Sequence, residues 1–445
     1  MFGTGIGHYI PLACYLGFWV MCLVSLGGKP LYGLYYMLPF LPYRTLRDHF
    51  IDDPLGANML TILIVAVILG ALIRGKRLPK SKLYLIWLVF GVYLYLSMWI
   101  GTALGNAPAP IWLSDANFIA WKDYMLIPLV FVAASLVIED RKAVKVVVII
   151  TAISLLAIDR STILESMSRS WSAFDESHRN NGPLAYGSNI TAAFLAQFAM
   201  FFWGFAVFLK RKKYKLLCYG LVAITIFGIM YTFSRGAYLA MLVGALVLGL
   251  MKDRKLLILL GVFLVTWQAV VPAPVRERIN MTEDSGGHLE ASAQERVDLW
   301  ANAEKSFLQS PIVGSGFATF QFGQHVDDLK DTHNWYVKVL VETGVLGFVI
   351  VLCMLQQLLA TGYRLFRGGK EPLYQGLGLG LFLAMCASMV ANFFGDRWTY
   401  IEITGLLWVL VAAAIRAASF PEPEAAAESA KVESSAAMNP YMAYR

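Results

Sequence analysis

Twelve apolar stretches of helix length recur along the chain, and they constrain its fold more than any other feature. Each is close to the roughly 17–25 residues with which a helix crosses about 30 Å of hydrocarbon. Only 15% of the 445 residues are charged, whereas a soluble domain carries about 25%, so lipid is the expected solvent. We predict an all-α fold, a polytopic transmembrane bundle of about 12 helices (range about 11–13). The stretches are residues 10–27, 57–73, 83–104, 119–138, 143–158, 190–209, 216–232, 235–251, 255–272, 335–360, 373–394 and 398–417.

Residues 31–42 (LYGLYYMLPFLP) are apolar but too short to cross as one regular helix. They form either a thirteenth crossing or a broken extension of the first helix, which leaves the side of the N-terminus open. No Lys or Arg precedes the first apolar stretch, so the charged start of a cleavable signal peptide is missing. We therefore expect the first helix to be retained.

Basic residues orient the bundle, because positively charged loops of membrane proteins stay in the cytoplasm. When the intervening helices are counted, five basic clusters fall on one side: residues 74–82, 139–145, 210–215, 252–255 and 364–370. Because these clusters are short and lie between apolar runs, the net charge of +7 does not indicate nucleic-acid binding. The opposite, outer face receives four segments: residues 105–118, 160–189, 234–236 and 273–334.

The outer face is where function is expected, since a loop as long as 273–334 is usually functional or disordered. The chain then divides into four parts: N-terminal transmembrane helices (1–272), a partly helical periplasmic loop (273–334), C-terminal transmembrane helices (335–417) and a tail (418–445). The tail is rich in Ala, Glu and Pro, which predicts a disordered cytoplasmic segment. The five cysteines lie in apolar stretches without metal-binding spacing, which predicts neither a disulfide nor a zinc site.

The long loop contains one predicted helix. Ser292 with Glu295 three residues later is a capping-box pattern, and Pro311 ends the helical run. Three apolar residues are expected on one face of this helix: Val297, Trp300 and Phe307. The pattern predicts an amphipathic helix that rests on the bilayer or on the bundle.

His333 stands at the mouth of the predicted bundle, directly before the apolar run that starts at Trp335. Thr332 or Asn334 would cap this helix. The positive end of a helix favours the neutral, basic form of an imidazole, which suits a general base. From the residues alone, a histidine that only anchors the chain at the membrane interface is an equally good interpretation.

Arginines on the outer face go against the positive-inside pattern, so each needs a reason. Arg235 lies between two helices with almost no loop, Arg179 lies in a Gly/Asn-rich loop, and Arg296 lies on the predicted loop helix. Guanidinium groups bind phosphates in a bidentate manner and stay charged, which suits a diphosphate. A carboxylate partner or a lipid headgroup is the alternative for each. Gly236 permits a sharp turn or a close backbone approach.

Other outer-face charges have simpler interpretations. Lys338 and Glu342 are four residues apart on a helix and are expected to form an ion pair. Asp396 and Arg397 are expected to pair with each other. Asp327-Asp328 is the outer acidic pair that could hold a metal ion, but solvated loop charge is the favoured interpretation.

Three segments together resemble the O-antigen ligase/polymerase superfamily. They are FSRGAYLA; a long outer loop with ERxxLWxxA and PIxGSGF; and THNWYVKVLVETGVLG, within residues 180–360. The resemblance implies a multi-helix glycosyltransferase of the bacterial inner membrane whose active site faces the periplasm. Such enzymes transfer a glycan from undecaprenyl diphosphate to an acceptor hydroxyl, for example on lipid A–core, with no metal and no cofactor. The expected partners are this donor, the acceptor and membrane lipids.

The resemblance also implies roles for individual residues. His333 would act on the acceptor hydroxyl, and Arg235 and Arg296 would bind the diphosphate. Arg179 matches more loosely in the same role. Three further residues are expected beside the acceptor or supporting the histidine: Asn334, Lys338 and Glu342.

Three other functions stay open. An O-antigen or exopolysaccharide polymerase shares the donor chemistry and differs from a ligase only in its acceptor. A glycolipid transporter would show internal repeats and charges near the bilayer midplane, but the halves show no repeat and the charges lie at the outer interface. A structural or sensory protein would leave the clustering of a histidine and arginines on one face unexplained.

Overall fold

The computed structural model describes residues 9–105, 107, 109–167, 174–281, 291–320 and 332–420. Within these residues the chain forms sixteen α-helices and no β-strand, which confirms the predicted all-α class. The helices are α1 (Ile10–Leu26), α2 (Pro30–Met37), α3 (Arg44–Arg47), α4 (Met59–Ile73), α5 (Lys82–Gly105), α6 (Ala116–Val137), α7 (Arg141–Met167), α8 (Ser188–Val207), α9 (Lys212–Met230), α10 (Arg235–Met251), α11 (Arg254–Val270), α12 (Ala273–Asn280), α13 (Ala291–Gln309), α14 (Trp335–Gly368), α15 (Pro372–Ala391) and α16 (Ile401–Ala417).

All twelve predicted stretches are helical. Eight helices of the described part are long and apolar enough to cross a membrane, namely α4 to α9, α14 and α15. The bent pair of α11 and α12, with an angle of 107°, would make a ninth. The four remaining predicted crossings, α1, α10, α11 and α16, are helices of 17 residues each. That length lies at the lower end of the range with which a helix spans hydrocarbon.

The segment between α1 and α4 runs back along α1 and does not extend it. At one end of the bundle, the Arg74 guanidinium after α4 donates to the carbonyl of Gly27 after α1. At the other end, the Tyr15 hydroxyl near the start of α1 donates to the carbonyl of Pro54, ahead of α4 (2.9 Å). The two helices therefore run parallel, and the chain between them returns along the length of α1. This arrangement favours the thirteenth crossing over an extension of α1.

The centre of the bundle is formed by α8 and α15. These helices approach closely because glycines face each other: a Cβ atom on Gly204 would lie 3.0 Å from the Cα atom of Gly380. Small residues at such contacts allow backbones of membrane helices to pack tightly. On its other face α15 contacts α14 in the same way, where a Cβ on Gly378 would lie 2.7 Å from the carbonyl oxygen of Gly362. The central helices thus hold the ends of α10, α14 and α15 in fixed positions.

The predicted basic clusters meet at one end of the bundle, which we call the basic end. Arg416 at the end of α16 donates to the carbonyl of Arg77 (2.7 Å). Lys76 pairs with Glu139 (2.5 Å), and Arg141 pairs with Glu371. The opposite end, which we call the site end, carries α12, α13 and the starts of α10, α14 and α16.

The long loop begins with α12 and continues with α13, which rests on α14. Its buried face carries Leu299 and Ala303, which are at most 5% exposed. Of the predicted apolar face, Phe307 packs beside Ala303 and Val341, whereas Val297 and Trp300 are 46% and 40% exposed. The Trp300 indole donates to a backbone carbonyl at the margin of this contact.

Several predictions fall on residues outside the described part of the chain. These are the side chain of Ser292, the pair Asp327-Asp328 and the tail beyond Phe420. Helix α13 begins at Ala291 and ends at Gln309, close to its predicted limits.

Candidate functional site

A cavity of about 450 Å³ opens at the site end, and we call it the arginine cavity. It brings together all four residues predicted for catalysis and diphosphate binding, which lie up to 154 positions apart in the sequence. Two further arginines and two glutamates also line it. Its charged and titratable lining residues are Arg179, Arg235, Arg278, Arg296, Arg397, His333, Glu176 and Glu295.

Arg235 is placed by the tight turn between α9 and α10. The residue Phe233 adopts a left-handed backbone (φ 53°), and α10 begins at Arg235. The Arg235 Nη1 group donates to the carbonyl of Met281, just after α12 (2.9 Å). A Cβ atom on Gly236 would lie 2.8 Å from the ring of Phe394, so the glycine is required for the close approach that the sequence suggested.

Arg179 is held in place from three sides. Its Nε group donates to the carbonyl of Thr232 (3.1 Å), Nη1 to the carboxylate of Glu176 (2.7 Å), and Nη2 to the amide oxygen of Asn189 (2.6 Å). Its side chain is only 11% exposed. Arg179 therefore ties the loop before α8 to the turn before α10 and forms a rigid part of the cavity wall.

Arg278 lines the cavity although the sequence analysis did not single it out. It lies on α12 and is buried, with its guanidinium carbon 4.9 Å from the centre of the Phe174 ring. Phe174 in turn packs edge-on against Phe233 (5.1 Å) in the turn before α10. The sequence could have revealed it, because Arg278, like Arg235, is an arginine on the outer face and goes against the positive-inside pattern.

Arg397 also belongs to the cavity, and the expected ion pair between Asp396 and Arg397 was wrong. The Arg397 guanidinium donates to the backbone carbonyls of Asp396 (3.1 Å) and Phe394 (3.3 Å). The Asp396 carboxylate accepts instead from Lys338 Nζ (3.1 Å). Adjacent side chains of an extended turn point apart, so each finds a partner on another element.

His333 lies in a strained turn before α14, with a left-handed backbone (φ 52°). Such a conformation costs a non-glycine residue roughly 1–3 kcal/mol and persists only where its surroundings hold it. The Trp300 indole of α13 donates to the carbonyl of Thr332 (2.9 Å). The Asn334 side chain accepts from the amides of Tyr336 (3.0 Å) and Val337 (3.3 Å), which confirms it as the helix cap.

The electrostatics of the arginine cavity favour an anion. Among the described residues, five guanidinium groups and two carboxylates line the cavity, and the start of α10 adds the partial positive charge of a helix N-terminus. His333 lines the same cavity. A neutral imidazole can accept a proton from a hydroxyl group.

Lys338 and Glu342 do not line the arginine cavity. They lie one to two turns into α14 and line a neighbouring cavity of about 220 Å³. Lys338 donates to Asp396, which was not expected from its spacing to Glu342. The third residue predicted to support the site, Asn334, acts as the cap and is buried.

Two of the sequence motifs pack on each other. The amides of Ser315 and Gly316 in PIVGSGF donate to the carbonyls of Val341 (2.9 Å) and Glu342 (2.8 Å) in VETG. Gly344 has a left-handed backbone (φ 61°) that interrupts α14 at this contact. The motifs therefore fix how the end of the long loop meets the helix that follows His333.

Comparison with protein families decides what this region is. Residues 220–352 match the family model described as O-antigen ligase (Wzy_C). The resemblance to the O-antigen ligase/polymerase superfamily is confirmed. The O-antigen ligase match includes Arg235, Arg278, Arg296 and His333, whereas Arg179 and Arg397 reach the cavity from outside it. No curated protein matches the chain.

The O-antigen ligase match supports a ligase or polymerase type of function. The family implies a lipid-linked glycan and a glycan acceptor as partners in general terms. The long apolar helices of this chain, together with the family match, fit a multi-pass bacterial membrane protein.

Proposed function

We propose that this chain is an O-antigen ligase-type glycosyltransferase acting at the periplasmic face of the bacterial inner membrane. It moves a glycan from undecaprenyl diphosphate to a hydroxyl group of lipid A–core. The observation that carries the proposal is the arginine cavity, where five guanidinium groups surround a space next to His333. An O-antigen or exopolysaccharide polymerase is the alternative, in which the acceptor is another glycan chain.

The diphosphate of the donor would lie in the arginine cavity. Arg235 and Arg296 would bind its oxygens directly, because guanidinium groups match phosphate geometry in a bidentate manner. Arg179 already donates hydrogen bonds to Glu176 and Asn189. It would therefore form part of the cavity wall and attract the diphosphate only through the charge that Glu176 does not neutralise. The bent pair of α11 and α12 brings Arg278 to the same space.

The reaction would be a single displacement at the anomeric carbon. As His333 takes the proton from the acceptor hydroxyl, the acceptor oxygen forms a bond to the anomeric carbon. The bond from this carbon to the diphosphate oxygen breaks, and its electron pair leaves with the lipid diphosphate. The arginines stabilise the negative charge that develops on the leaving group. This course inverts the configuration and requires neither a metal ion nor ATP.

The test is transfer by the purified protein. Undecaprenyl-diphosphate-linked glycan is supplied with lipid A–core or with a second glycan as the acceptor, in the presence of EDTA and without ATP. We expect the wild type to transfer, and His333→Ala and Arg235→Ala to lose at least about 100-fold in rate, within the range for general-base and charge-stabilising groups.

Arg276→Ala is the matched control. Arg276 lies on α12, two residues before Arg278, donates to the carbonyl of Gln268 and does not line the cavity. It should transfer at the wild-type rate. Equal activity of His333→Ala and the wild type would contradict the proposed role of His333. Glycolipid that crosses vesicle bilayers without any transfer product would instead indicate a transporter, and the acceptor that works decides between ligase and polymerase.

A further inference from the structure

A second recess lies beside the arginine cavity, and we call it the tyrosine groove. It consists of the cavity of about 220 Å³ that contains Lys338 and an adjoining cavity of about 180 Å³. The two parts share Asp123, Tyr186, Thr399 and Tyr400 as walls. Aromatic rings dominate the larger part: Tyr124, Tyr186, Phe317, Phe320 and Tyr400.

The aromatic wall is held rigidly. The rings of Tyr186 and Tyr400 lie 4.5 Å apart, and both residues are half-buried. The Arg44 guanidinium lies 4.6 Å from the centre of the Tyr186 ring. Deeper in the groove, Tyr124 stacks on Phe317 at 6.0 Å. The groove therefore offers fixed apolar faces edged with hydroxyl groups.

The charges of the tyrosine groove are paired with each other within the protein. Asp123 pairs with Lys122 (3.3 Å), and Arg44 pairs with Asp48 (3.6 Å). Lys338 pairs with the buried Asp396. Such a surface provides hydrogen-bond donors and acceptors but no excess charge that would select an anion.

Backbone strain marks both recesses. Among the described residues five non-glycine residues have a left-handed backbone. Phe233 and His333 line the arginine cavity, and Ala318 lines the groove. Ala185 precedes Tyr186, and Leu55 precedes a glycine that lines the smaller part of the groove. Strain of this kind clusters at functional sites.

The two recesses are neighbours on the same chain segments. The turn before α14 contributes His333 to one, and the start of α14 contributes Lys338 to the other. The turn between α15 and α16 contributes Arg397 to one and Tyr400 to the other. A molecule in the groove would therefore lie next to whatever the arginine cavity holds.

We propose that the tyrosine groove is a binding subsite for an uncharged sugar ring of a glycan substrate. Aromatic rings stack on the C–H faces of a sugar, while carboxylates and hydroxyl groups bind its hydroxyl groups. Asp123 is exposed enough to accept such bonds, with a side chain 57% exposed. The inference rests on the proposed function, which supplies two sources of the sugar: the acceptor and the donor glycan.

The experiment compares Tyr186→Ala and Asp123→Ala with the wild type in the transfer assay. Either variant should raise the KM for one glycan substrate about tenfold, with kcat little changed, because the groove binds sugar but does not react. Tyr186→Phe keeps the ring and should retain most of the affinity. Trp112→Ala removes an aromatic residue that is 70% exposed and lines neither recess, and it should behave as wild type.

The KM that changes identifies which substrate supplies the bound sugar. A higher KM for lipid A–core assigns the groove to the acceptor. A higher KM for the lipid-linked glycan assigns it to the donor. If the wild type transfers and neither KM changes in either variant, the inference is wrong. Saturation-transfer NMR with the two oligosaccharides released from their lipids keeps the test independent of catalysis. Signals that are present with the wild type and lost in Tyr186→Ala support the subsite even without transfer, and no signal with the wild type refutes it.

Discussion

The ion pair of Lys338 and Asp396 joins the start of α14 to the turn before α16, between the two recesses. The Asp396 side chain is 1% exposed and also accepts hydrogen bonds from the amides of Trp398 and Thr399 (3.0 Å each). Lys338→Met keeps the length of the side chain but removes its charge. We expect this change to destabilise the protein because it leaves a buried carboxylate without the Lys338 cation.

The size of the effect follows from the burial of the two partners. Removing one partner of a buried ion pair costs about 3–5 kcal/mol. Because Asp396 keeps the amide donors of Trp398 and Thr399, we expect the lower end, about 3 kcal/mol. Asp396→Asn should cost less, about 1–2 kcal/mol, since the Lys338 side chain is 20% exposed and can reach water. The double variant should lose less stability than the two single variants added together, because it contains no buried carboxylate at this position.

The stability of the wild type should depend on pH in a defined direction. Burial raises the pKa of Asp396. The charge of Lys338 and the hydrogen bonds from Thr399 and Trp398 lower it by more than burial raises it, so this pKa lies below its usual value. A carboxyl whose pKa is lower in the folded state stabilises the protein above its unfolded pKa of about 3.9. That contribution is lost as pH falls through the lower, folded pKa. In Lys338→Met burial dominates and favours protonation, so the deficit relative to wild type should shrink as pH falls from about 7 to about 4.

The assay is unfolding in detergent followed by tryptophan fluorescence. Trp335 and Trp398 flank the ion pair, are at most 2% exposed and have ring centres 5.3 Å apart, so they report on this region. Thermal and denaturant unfolding are measured at several pH values for both single variants and the double variant. A loss below about 1 kcal/mol in Lys338→Met, with no dependence on pH, would refute the description of Asp396 as a buried, paired carboxylate.

Three further changes test how the site is held. Trp300→Phe removes the donor to the buried carbonyl of Thr332, and we expect transfer about tenfold slower, equivalent to about 1.4 kcal/mol, with a nearly unchanged melting temperature. Gly236→Ala places a methyl group 2.8 Å from the Phe394 ring, so both the melting temperature and the transfer rate should fall. Unchanged values would show that the turn before α10 can move to make room for the methyl group. Asn334→Ala removes the cap of α14 and should cost about 1 kcal/mol, measured by denaturant unfolding, whereas Asn334→Asp should restore it.

Hydropathy predicted most of the fold because a crossing helix has a length and composition that the sequence displays directly. The same property identified Arg235 and His333, since a charged or titratable residue at the outer end of an apolar run is conspicuous. The path of the chain before α4 was harder to predict. Residues 31–42 are too short for a regular span, and only the parallel packing of α1 and α4 shows that the chain returns along α1 there.

The partners of individual side chains were not predictable, because they depend on contacts between distant elements. Spacing on one helix suggested Glu342 for Lys338, whereas the turn before α16 also brings Asp396 to it. Arg397 joined the cavity because α15 ends beside the start of α10, a position set by the glycine contacts of α8 and α15. Helical periodicity alone could not tell which face of α13 would meet α14.

A difference in charge between neighbouring recesses would separate the two substrates of a transfer reaction. The guanidinium groups that line the described part of the arginine cavity attract a diphosphate, whereas an aromatic groove with paired charges gains little from an anion and selects by shape and hydrogen bonds. The boundary must stay rigid, because a shift of about 1 Å can cost 100-fold in rate when two reacting groups must be aligned. The Lys338–Asp396 pair lies on this boundary, because Lys338 lines the groove and Asp396 is next to Arg397 of the arginine cavity. Variants there should therefore slow the reaction of bound substrates more than they weaken substrate binding, the reverse of the pattern expected for Tyr186→Ala.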